Sequence, residues 1–181
     1  LSIERAKVHS RIYGKPLRVM FQDEARFGRI SVPQACWAPK GLRPEVPEQL
    51  IREYVYVYSA ISPKDGRMDS LVLPDMYRGT LSVFLEEVAS RYPNEEILMV
   101  MDNAPCHRAG DLHVPANITL FPLPPYSPNL NPQENIWDEM REKYFGNRTF
   151  RDMNALEKHL VQSLLQMEAG QTRIQSITNW P

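Results

Sequence analysis

The sequence predicts a mixed β-sheet with α-helices packed on its faces, an architecture of the α/β or α+β class. Residues 53–59 (EYVYVYS) alternate tyrosine with valine, and this period of two is typical of a strand with two different faces. Residues 97–101 (ILMVM) are apolar at every position, which indicates a central strand covered on both sides. Between these two runs, residues 81–89 place apolar side chains at the spacing of an amphipathic helix.

The elements before the tyrosine-rich strand are less regular. Residues 1–15 are expected to form a basic linker or a frayed helix. Residues 17–22 (LRVMFQ) form an apolar run typical of a buried strand, and residues 27–32 are predicted to return antiparallel to it. The first strand is therefore expected to end at Asp23 and Glu24, and a proline-rich stretch follows the second.

After the tyrosine-rich strand, Lys64, Asp65 and Gly66 form a sequence typical of a hairpin turn. The chain then continues with shorter strands and two further helices. These elements are predicted at residues 69–73 and 118–121 for the strands, from Asn131 to about residue 145 for one helix, and over about residues 153–167 for the last.

With 181 residues, 43% of them apolar and 24% charged, the chain has the composition of one globular domain, which excludes a largely disordered or fibrous protein. Its longest aliphatic run is far shorter than the ~20 residues of a membrane-spanning helix, and no secretory signal opens the chain. Two cysteines, Cys36 and Cys106, are too few for a disulfide scaffold and favour a reducing cytosol. Because Leu1 stands in place of an initiator Met, we expect a chain cut from a longer one.

The net charge of −1 averages over a segregated distribution. Residues 1–52 carry 10 Lys/Arg against 5 Asp/Glu, residues 53–140 carry 5 against 13, and residues 141–181 carry 6 against 4. Basic flanks around a carboxylate-rich centre would suit a polyanion, although ordinary variation in solvated surface charge explains the same numbers. The overall charge therefore leaves a nucleic-acid partner open.

Two acidic residues are distinguished by their position next to predicted strands. Asp102 directly follows the buried strand at residues 97–101, and Asp23 follows the first predicted strand, with Glu24 beside it. Both would lie at the carboxyl edge of the sheet, where sheets of this kind bind ligands. Taken singly, Asp102 is better explained as a turn residue and Asp23 as a solvated strand end.

Glu134 has a more specific setting. The preceding residues 122–132 (PLPPYSPNLNP) contain five of the 16 prolines, so this loop is expected to be stiff without being regular. Asn131 and Pro132 fit the N-cap and the first position of a helix, which makes Glu134 either a carboxylate that stabilises its own helix or one delivered to a fixed point. Trp137, one turn further on, is interpreted as a core anchor of that helix.

Three carboxylates at two strand ends and one helix start are the oxygen ligands that Mg²⁺ or Mn²⁺ prefers. Two such ions ~3.5–4 Å apart can activate a nucleophile and stabilise the leaving oxygen of a phosphodiester. Because crowded carboxylates repel one another, a cation is expected to belong to the site. Other kinds of site are less well supported. A thiol hydrolase is disfavoured because Cys106 and His107 are adjacent in the chain, and adjacent side chains seldom point at each other. The cysteines and histidines lack the spacing of zinc ligands, and the sequence contains no glycine-rich phosphate-binding loop.

Four stretches of sequence make this combination specific: FQDEARF, WAPKG, MVMDNAPCH and LPPYSPNLNPQENIW. Together they strongly resemble the DDE-type transposases of bacterial insertion sequences, in the mariner-like superfamily, over about residues 19–148. The resemblance implies a ribonuclease H-like fold, an α/β mixed sheet flanked by helices. It also implies that Asp23, Asp102 and Glu134 are the three catalytic acids, which in that family bind two divalent ions, Mg²⁺ or Mn²⁺.

The resemblance further implies an activity and its partners. The family cleaves both strands at transposon ends and inserts the freed 3′ ends into target DNA, typically at a TA dinucleotide, without an organic cofactor. A homodimer on DNA, in the bacterial cytoplasm at the nucleoid and away from any membrane, follows as an expectation. Asn103 and His107 match accessory positions, to which Glu24 is added as the neighbour of Asp23. The expected DNA contacts are Arg26, Lys40, Arg43, Arg108 and Arg141.

The chain departs from the family pattern in two ways. Thirty-one residues separate Asp102 and Glu134, fewer than is usual in this group, and no helix-turn-helix fits before residue 17. We therefore expect a catalytic domain alone. Its predicted divisions are a basic linker at 1–16, the ribonuclease H-like domain at 17–148 and a C-terminal helical extension packed on it at 149–181. An inactive or truncated DNA-binding module and a general ribonuclease H-like nuclease are the alternative functions.

Overall fold

The computed structural model describes residues 2–31, 33–76, 78–102, 112–125 and 127–179. In these ranges a five-stranded sheet is covered by helices on both faces. No helix there is long and apolar enough to cross a membrane. The elements in chain order are α1 (Ser2–Tyr13), β1 (Leu17–Ile30), β2 (Leu50–Ser62), β3 (Arg67–Leu73), α2 (Arg78–Arg91), β4 (Glu96–Met101), β5 (Ile118–Pro122), α3 (Gln133–Met140) with a π-helical turn after it (Arg141–Phe145), α4 (Met153–Ala169) and α5 (Gln171–Thr178).

The sheet is mixed, as the sequence predicts. Its strand order is β3-β2-β1-β4-β5, in which β2 pairs antiparallel with β1 and β3, whereas β4 pairs parallel with β1 and β5. The predicted hairpin turn between β2 and β3 closes at Gly66, whose φ of 68° lies in the left-handed region that favours glycine. All six residues of β4 are buried, as expected of a central strand covered on both sides.

Strand β1 is the main departure from the prediction. It runs without a break for 14 residues, so the predicted end at Asp23 and the antiparallel return at residues 27–32 are wrong. The polar residues Asp23 and Glu24 continue the strand because they pair with β2, opposite Ser59 and Tyr58. The antiparallel partner of β1 is therefore the tyrosine-rich β2. Strand β1 ends only where the proline-rich stretch begins, because proline cannot donate a backbone hydrogen bond.

Two hydrophobic cores hold the sheet, one on each face. The alternation of side chains along β1 sends Met20 into one core and Ala25 and Phe27 into the other. The core around Met20 is covered by α2, and the core around Phe27 by α3, α4 and α5. The predicted stripe of leucines on α4 supplies much of the second core. The acidic residue Asp23, two positions before Ala25, shares the face of the α3 side.

The helices at the two ends of the described chain are more regular than the sequence indicates. Helix α1 stands where a linker or a frayed helix was expected, buries Ala6 completely and packs against β4 and β5. Helix α5 is not predicted by the sequence pattern, because it buries only Ile174 and Thr178, too few residues for a visible apolar stripe. Gly170 separates α4 from α5, and Ile174 joins the core of the α3 side.

Candidate acidic site at the end of strand β4

The parallel pairing of β1 with β4 relates the backbone positions of Asp23 and Asp102. In the observed register Phe21 lies opposite Val100. Continued by two residues, this register sets Asp23 across from Asp102, the exposed residue that follows β4. Neighbouring strands lie about 4.8 Å apart. Asp102 directly follows its strand, as the sequence predicts, whereas Asp23 lies within β1.

Asn131 fastens the start of helix α3 to the same stretch of β1. This buried side chain donates a hydrogen bond from Nδ2 to the carbonyl oxygen of Gln22, at 2.9 Å. Its Oδ1 accepts from the backbone N–H of Gln133, at 3.2 Å, as expected of a helix N-cap. Glu134, half-buried in the first turn of α3, is thereby held next to Asp23. The end of the proline-rich loop is therefore fixed to β1 next to the first turn of α3.

Trp137 links α3 directly to Asp23. Its indole Nε1 donates a hydrogen bond to Oδ2 of Asp23, at 2.9 Å, while the ring is 1% exposed and meets Phe27 edge to face. The sequence identifies Trp137 as a core anchor, which is confirmed, but its second role as the partner of a site carboxylate is missed. The spacing offers one signal for that role, because Trp137 lies three residues after Glu134 and so on the same side of the helix.

Burial and neighbouring carboxylates together set the electrostatics of Asp23. Burial, followed by repulsion from the carboxylates of Glu134 and Glu24, raises the pKa of Asp23 to about 7, against the lowering effect of the Trp137 hydrogen bond. A carboxyl group in this position is therefore only partly ionised at neutral pH. A nearby divalent cation would reverse this, since it favours the charged form, and the acidic residues present therefore fit such an ion.

Polar side chains also lie next to Asp23 in the sheet, on both faces of β1. Ser59, its cross-strand neighbour on β2, buries its hydroxyl without a hydrogen-bond partner among the described residues. Gln22 donates from Nε2 to Oε1 of Glu24, at 2.9 Å. Glu24, named as an accessory residue from sequence, lies on the opposite face of β1 from Asp23 and acts on it through charge.

The described residues do not form a complete metal cluster. In the ranges given above, no three His, Cys, Asp or Glu side chains lie close enough together to hold one ion. Like charges keep carboxylates apart when no cation bridges them. The accessory residues Asn103 and His107, and the expected DNA contact Arg108, lie outside the described residues.

The remaining expected DNA contacts fall into two groups. Arg26 and Arg141 line one cavity of about 340 Å³, next to the site, and the guanidinium of Arg26 lies 4.5 Å from the ring centroid of Tyr54. Lys40 and Arg43 are exposed in the segment between β1 and β2 and do not line that cavity. Sequence reasoning missed a third arginine of the cavity, Arg148, because no pattern marks it.

Comparison with known proteins identifies the family of the chain. The sequence model of the family described as DDE superfamily endonuclease matches residues 18–157, well over half of the chain. A bacterial relative, the uncharacterized protein y4pE/y4sA of Sinorhizobium fredii (strain NBRC 101917 / NGR234), is 36% identical over 107 residues, which cover 59% of this chain and 79% of the relative.

Solved structures show the same fold. The Mos1 mariner paired end complex with Mn matches with a TM-score of 0.63 and 14% identity, over 98% of this chain and 58% of that chain. The Mos1 strand transfer complex gives a TM-score of 0.61 and 14% identity, over 99% and 61%. A chain of the simian T-cell lymphotropic virus intasome, in complex with PP2A regulatory subunit B56 gamma, gives 0.51 and 13%, over 81% and 48%. The predicted ribonuclease H-like fold is confirmed, and the chain spans about three-fifths of the Mos1 chains it matches.

Proposed function

The chain belongs to the DDE superfamily endonucleases, and from this premise we propose that it is the catalytic domain of a DNA transposase. The observation that carries the proposal is the closeness of the Asp23 and Glu134 carboxylates, on the strand that pairs with β4, which Asp102 follows. Its activity would be cleavage at transposon ends followed by transfer of the freed 3′ ends into target DNA, typically at TA. The solved Mos1 complexes that share this fold contain a transposon end or are strand transfer complexes, which supports the proposal.

The three acids would hold two Mg²⁺ or Mn²⁺ ions through their carboxylate oxygens. When bound, such a pair supplies activation of the attacking oxygen and charge stabilisation at the leaving oxygen of a phosphodiester. The chain's own contribution is position: the indole of Trp137 holds Oδ2 of Asp23, and Asn131 holds the start of α3 against β1. These contacts hold Asp23 and the first turn of α3 in place before substrate binds, which lowers the free energy needed to organise the site during the reaction.

The partners follow from the reaction. DNA is both the cleaved and the receiving molecule, and two transposon ends must be held together, so the active form would be a homodimer on DNA. Its proposed place of action is the bacterial cytoplasm, at the nucleoid, because the DNA substrate is there. Asn103 and His107 are proposed to assist the acids from the segment that follows Asp102.

Cleavage of defined DNA tests the activity. Duplex oligonucleotides that carry the ends of the element encoding this chain are incubated with the protein in Mg²⁺ or Mn²⁺. We expect nicks at the element boundary. The variants Asp102→Asn and Glu134→Gln should not produce them, because each replaces one carboxylate oxygen with an amide nitrogen and removes the negative charge that binds the metal. Glu157→Gln, an exposed position on α4, is the matched control and should cleave normally. Undiminished cleavage by Asp102→Asn would refute the assignment.

Two further measurements separate the alternative functions. A general ribonuclease H-like nuclease would cleave hybrids or duplexes without element ends equally well, so a comparison of substrates distinguishes it. Calorimetry with Mn²⁺, with and without DNA, distinguishes a non-catalytic DNA-binding module, which would bind no metal in either titration. The proposed transposase binds Mn²⁺ at the acidic site and prefers element ends.

A further inference from the structure

A cavity of about 340 Å³ lies beyond Asp23, along β1 and towards the proline-rich segment. Its wall contains aromatic rings from β1, β2 and the segment after α3, and its rim carries three arginines. None of the described residues that line it is acidic. The arginines are Arg26, Arg141 and Arg148.

The charges of these arginines are largely unused by the protein. Arg26 and Arg148 are exposed, and neither forms an ion pair with a carboxylate among the described residues. Arg141 has one carboxylate partner, the exposed Asp138, at 3.5 Å. Exposed ion pairs of this kind contribute little to stability, so Arg141 is also available to an anion. A surface that concentrates three such groups over one cavity favours a ligand with more than one negative charge.

The aromatic side of the cavity is shaped by a glycine. At Gly28 a Cβ atom would lie 2.3 Å from Cδ1 of Tyr54, so the Tyr54 ring rests directly on the backbone of β1. The guanidinium of Arg26 lies over that ring, 4.5 Å from its centroid. Stacking on an aromatic face restricts the flexible side chain of Arg26 and holds its charge at the rim of the cavity.

The opposite wall is fastened by two reciprocal amide contacts. The side chain of Asn147 accepts from the backbone N–H of Gln34, at 2.7 Å, and donates to its carbonyl oxygen, at 3.0 Å. The side chain of Gln49 makes the same pair of bonds with the backbone of Phe150, at 2.8 and 3.0 Å. These contacts join the segment between β1 and β2 to the segment before α4. The wall therefore has a defined shape before any ligand binds.

The position of the cavity along β1 and its three arginines favour DNA as the ligand. Arg26 lies three residues after Asp23 on one continuous strand, which corresponds to about 10 Å at 3.3 Å per residue. We propose that this cavity binds the phosphate backbone of DNA near the acidic site, through Arg26, Arg141 and Arg148. The proposal rests on the proposed function, since it assumes DNA at the acidic site.

The test measures DNA binding rather than cleavage. A labelled duplex is titrated with the 181-residue chain in Ca²⁺ over a series of salt concentrations, and binding is followed by fluorescence anisotropy. Arg148→Ala is expected to weaken binding about fivefold to tenfold and to lower the slope of log affinity against log salt by about one, because one phosphate contact is lost. Arg148→Lys should keep the slope and lose part of the affinity, because a lysine retains the charge without the planar fork.

A matched arginine outside the cavity provides the control. Arg5 is exposed on α1, which packs against β4 and β5, and Arg5→Ala should change neither the affinity nor the slope. If Arg26→Ala and Arg148→Ala both bind as the wild type does, the cavity proposal is refuted, whether or not the chain cleaves DNA. A chain that never cleaves but loses salt-dependent binding in these two variants would refute the proposed activity and support the cavity.

Discussion

Trp137 combines two roles, since it packs in the hydrophobic core of the α3 side and donates a hydrogen bond to Oδ2 of the proposed metal ligand Asp23. The other hydrogen bond that lowers the pKa of Asp23 comes from the backbone of Glu24. Without the indole N–H, the negative charge of Asp23 would be less well compensated.

We therefore expect Trp137→Phe to lower the cleavage rate about 10- to 100-fold, as is usual when the partner of a metal ligand is removed. The measurement is the rate of oligonucleotide cleavage in Mn²⁺, well below the melting temperature of the variant. Phe84→Leu, which shrinks a buried aromatic of the other core, is the control for lost packing. Equal losses of activity in the two variants would show that Trp137 acts through the core alone.

Single residues differ in how visible they are in the sequence. Asp102 and Glu134 could be found because a buried strand and a proline-stiffened helix start precede them. Arg148 could not, because its importance depends on a cavity whose walls come from β1, β2 and the segment after α3. The role of Trp137 as a hydrogen-bond donor likewise depends on how α3 crosses β1, which no local pattern encodes.

Among the elements, α4 illustrates a helix whose start is fixed by one side chain. Asp152 has extended backbone angles, and its carboxylate accepts a hydrogen bond from the N–H of Ala155, at 2.7 Å. This is the N-cap of the helix that carries Leu156, Leu160 and Leu164 into the core. A loose first turn would disturb the packing of Leu156 first.

We expect Asp152→Ala to lower the free energy of unfolding by about 1 kcal/mol, the usual effect of removing an N-cap acceptor. Asp152→Asn keeps an acceptor oxygen and should unfold within a few tenths of a kcal/mol of the wild type. Urea denaturation followed by circular dichroism measures both. The nearby contact of Asp152 with Arg151 is solvent-exposed and adds little, so a large loss in Asp152→Asn would show that charge, not capping, stabilises α4.

The sequence predicts the identity of elements better than their ends. The alternation in β2 and the uniform apolarity of β4 reflect which side chains are buried, and this can be predicted from the sequence of each strand alone. The length of β1 depends on its pairing with β2, since backbone hydrogen bonds carry the strand through two acidic residues that local propensity disfavours. The same argument applies to α5, whose stability comes from packing against α3 and α4.

At the scale of the whole molecule, the sheet is predictable because its strands carry distinct patterns of apolar residues. The relative position of the predicted acids depends instead on strand order and register, which local patterns do not determine. β1 and β4 are adjacent and parallel although β2, β3 and α2 lie between them in the chain. The resemblance to a known family supplies that topology, and local periodicity does not. The net charge of −1 gives the chain little long-range attraction for DNA, so binding depends on local charge.

In the proposed complex, the acidic site and the arginine cavity act on DNA with opposite signs. The carboxylates of the site repel phosphate until divalent ions offset them, whereas the arginines of the cavity attract it. Chelation with EDTA at constant ionic strength should therefore weaken DNA binding about fivefold or more, a typical coupling between two linked ligands. Anisotropy titrations in Mg²⁺ and in EDTA measure the difference.

The coupling between DNA and metal binding also predicts how DNA changes the affinity for Mn²⁺. Because linkage is reciprocal, DNA must strengthen Mn²⁺ binding by the factor by which Mn²⁺ strengthens DNA binding, and calorimetry with and without duplex checks that equality. Glu134→Gln removes one negative charge of the site, so this variant should bind DNA more tightly than the wild type in EDTA and gain less from Mg²⁺. Equal wild-type affinities in Mg²⁺ and EDTA would contradict the idea that the carboxylates and the DNA phosphates share one site.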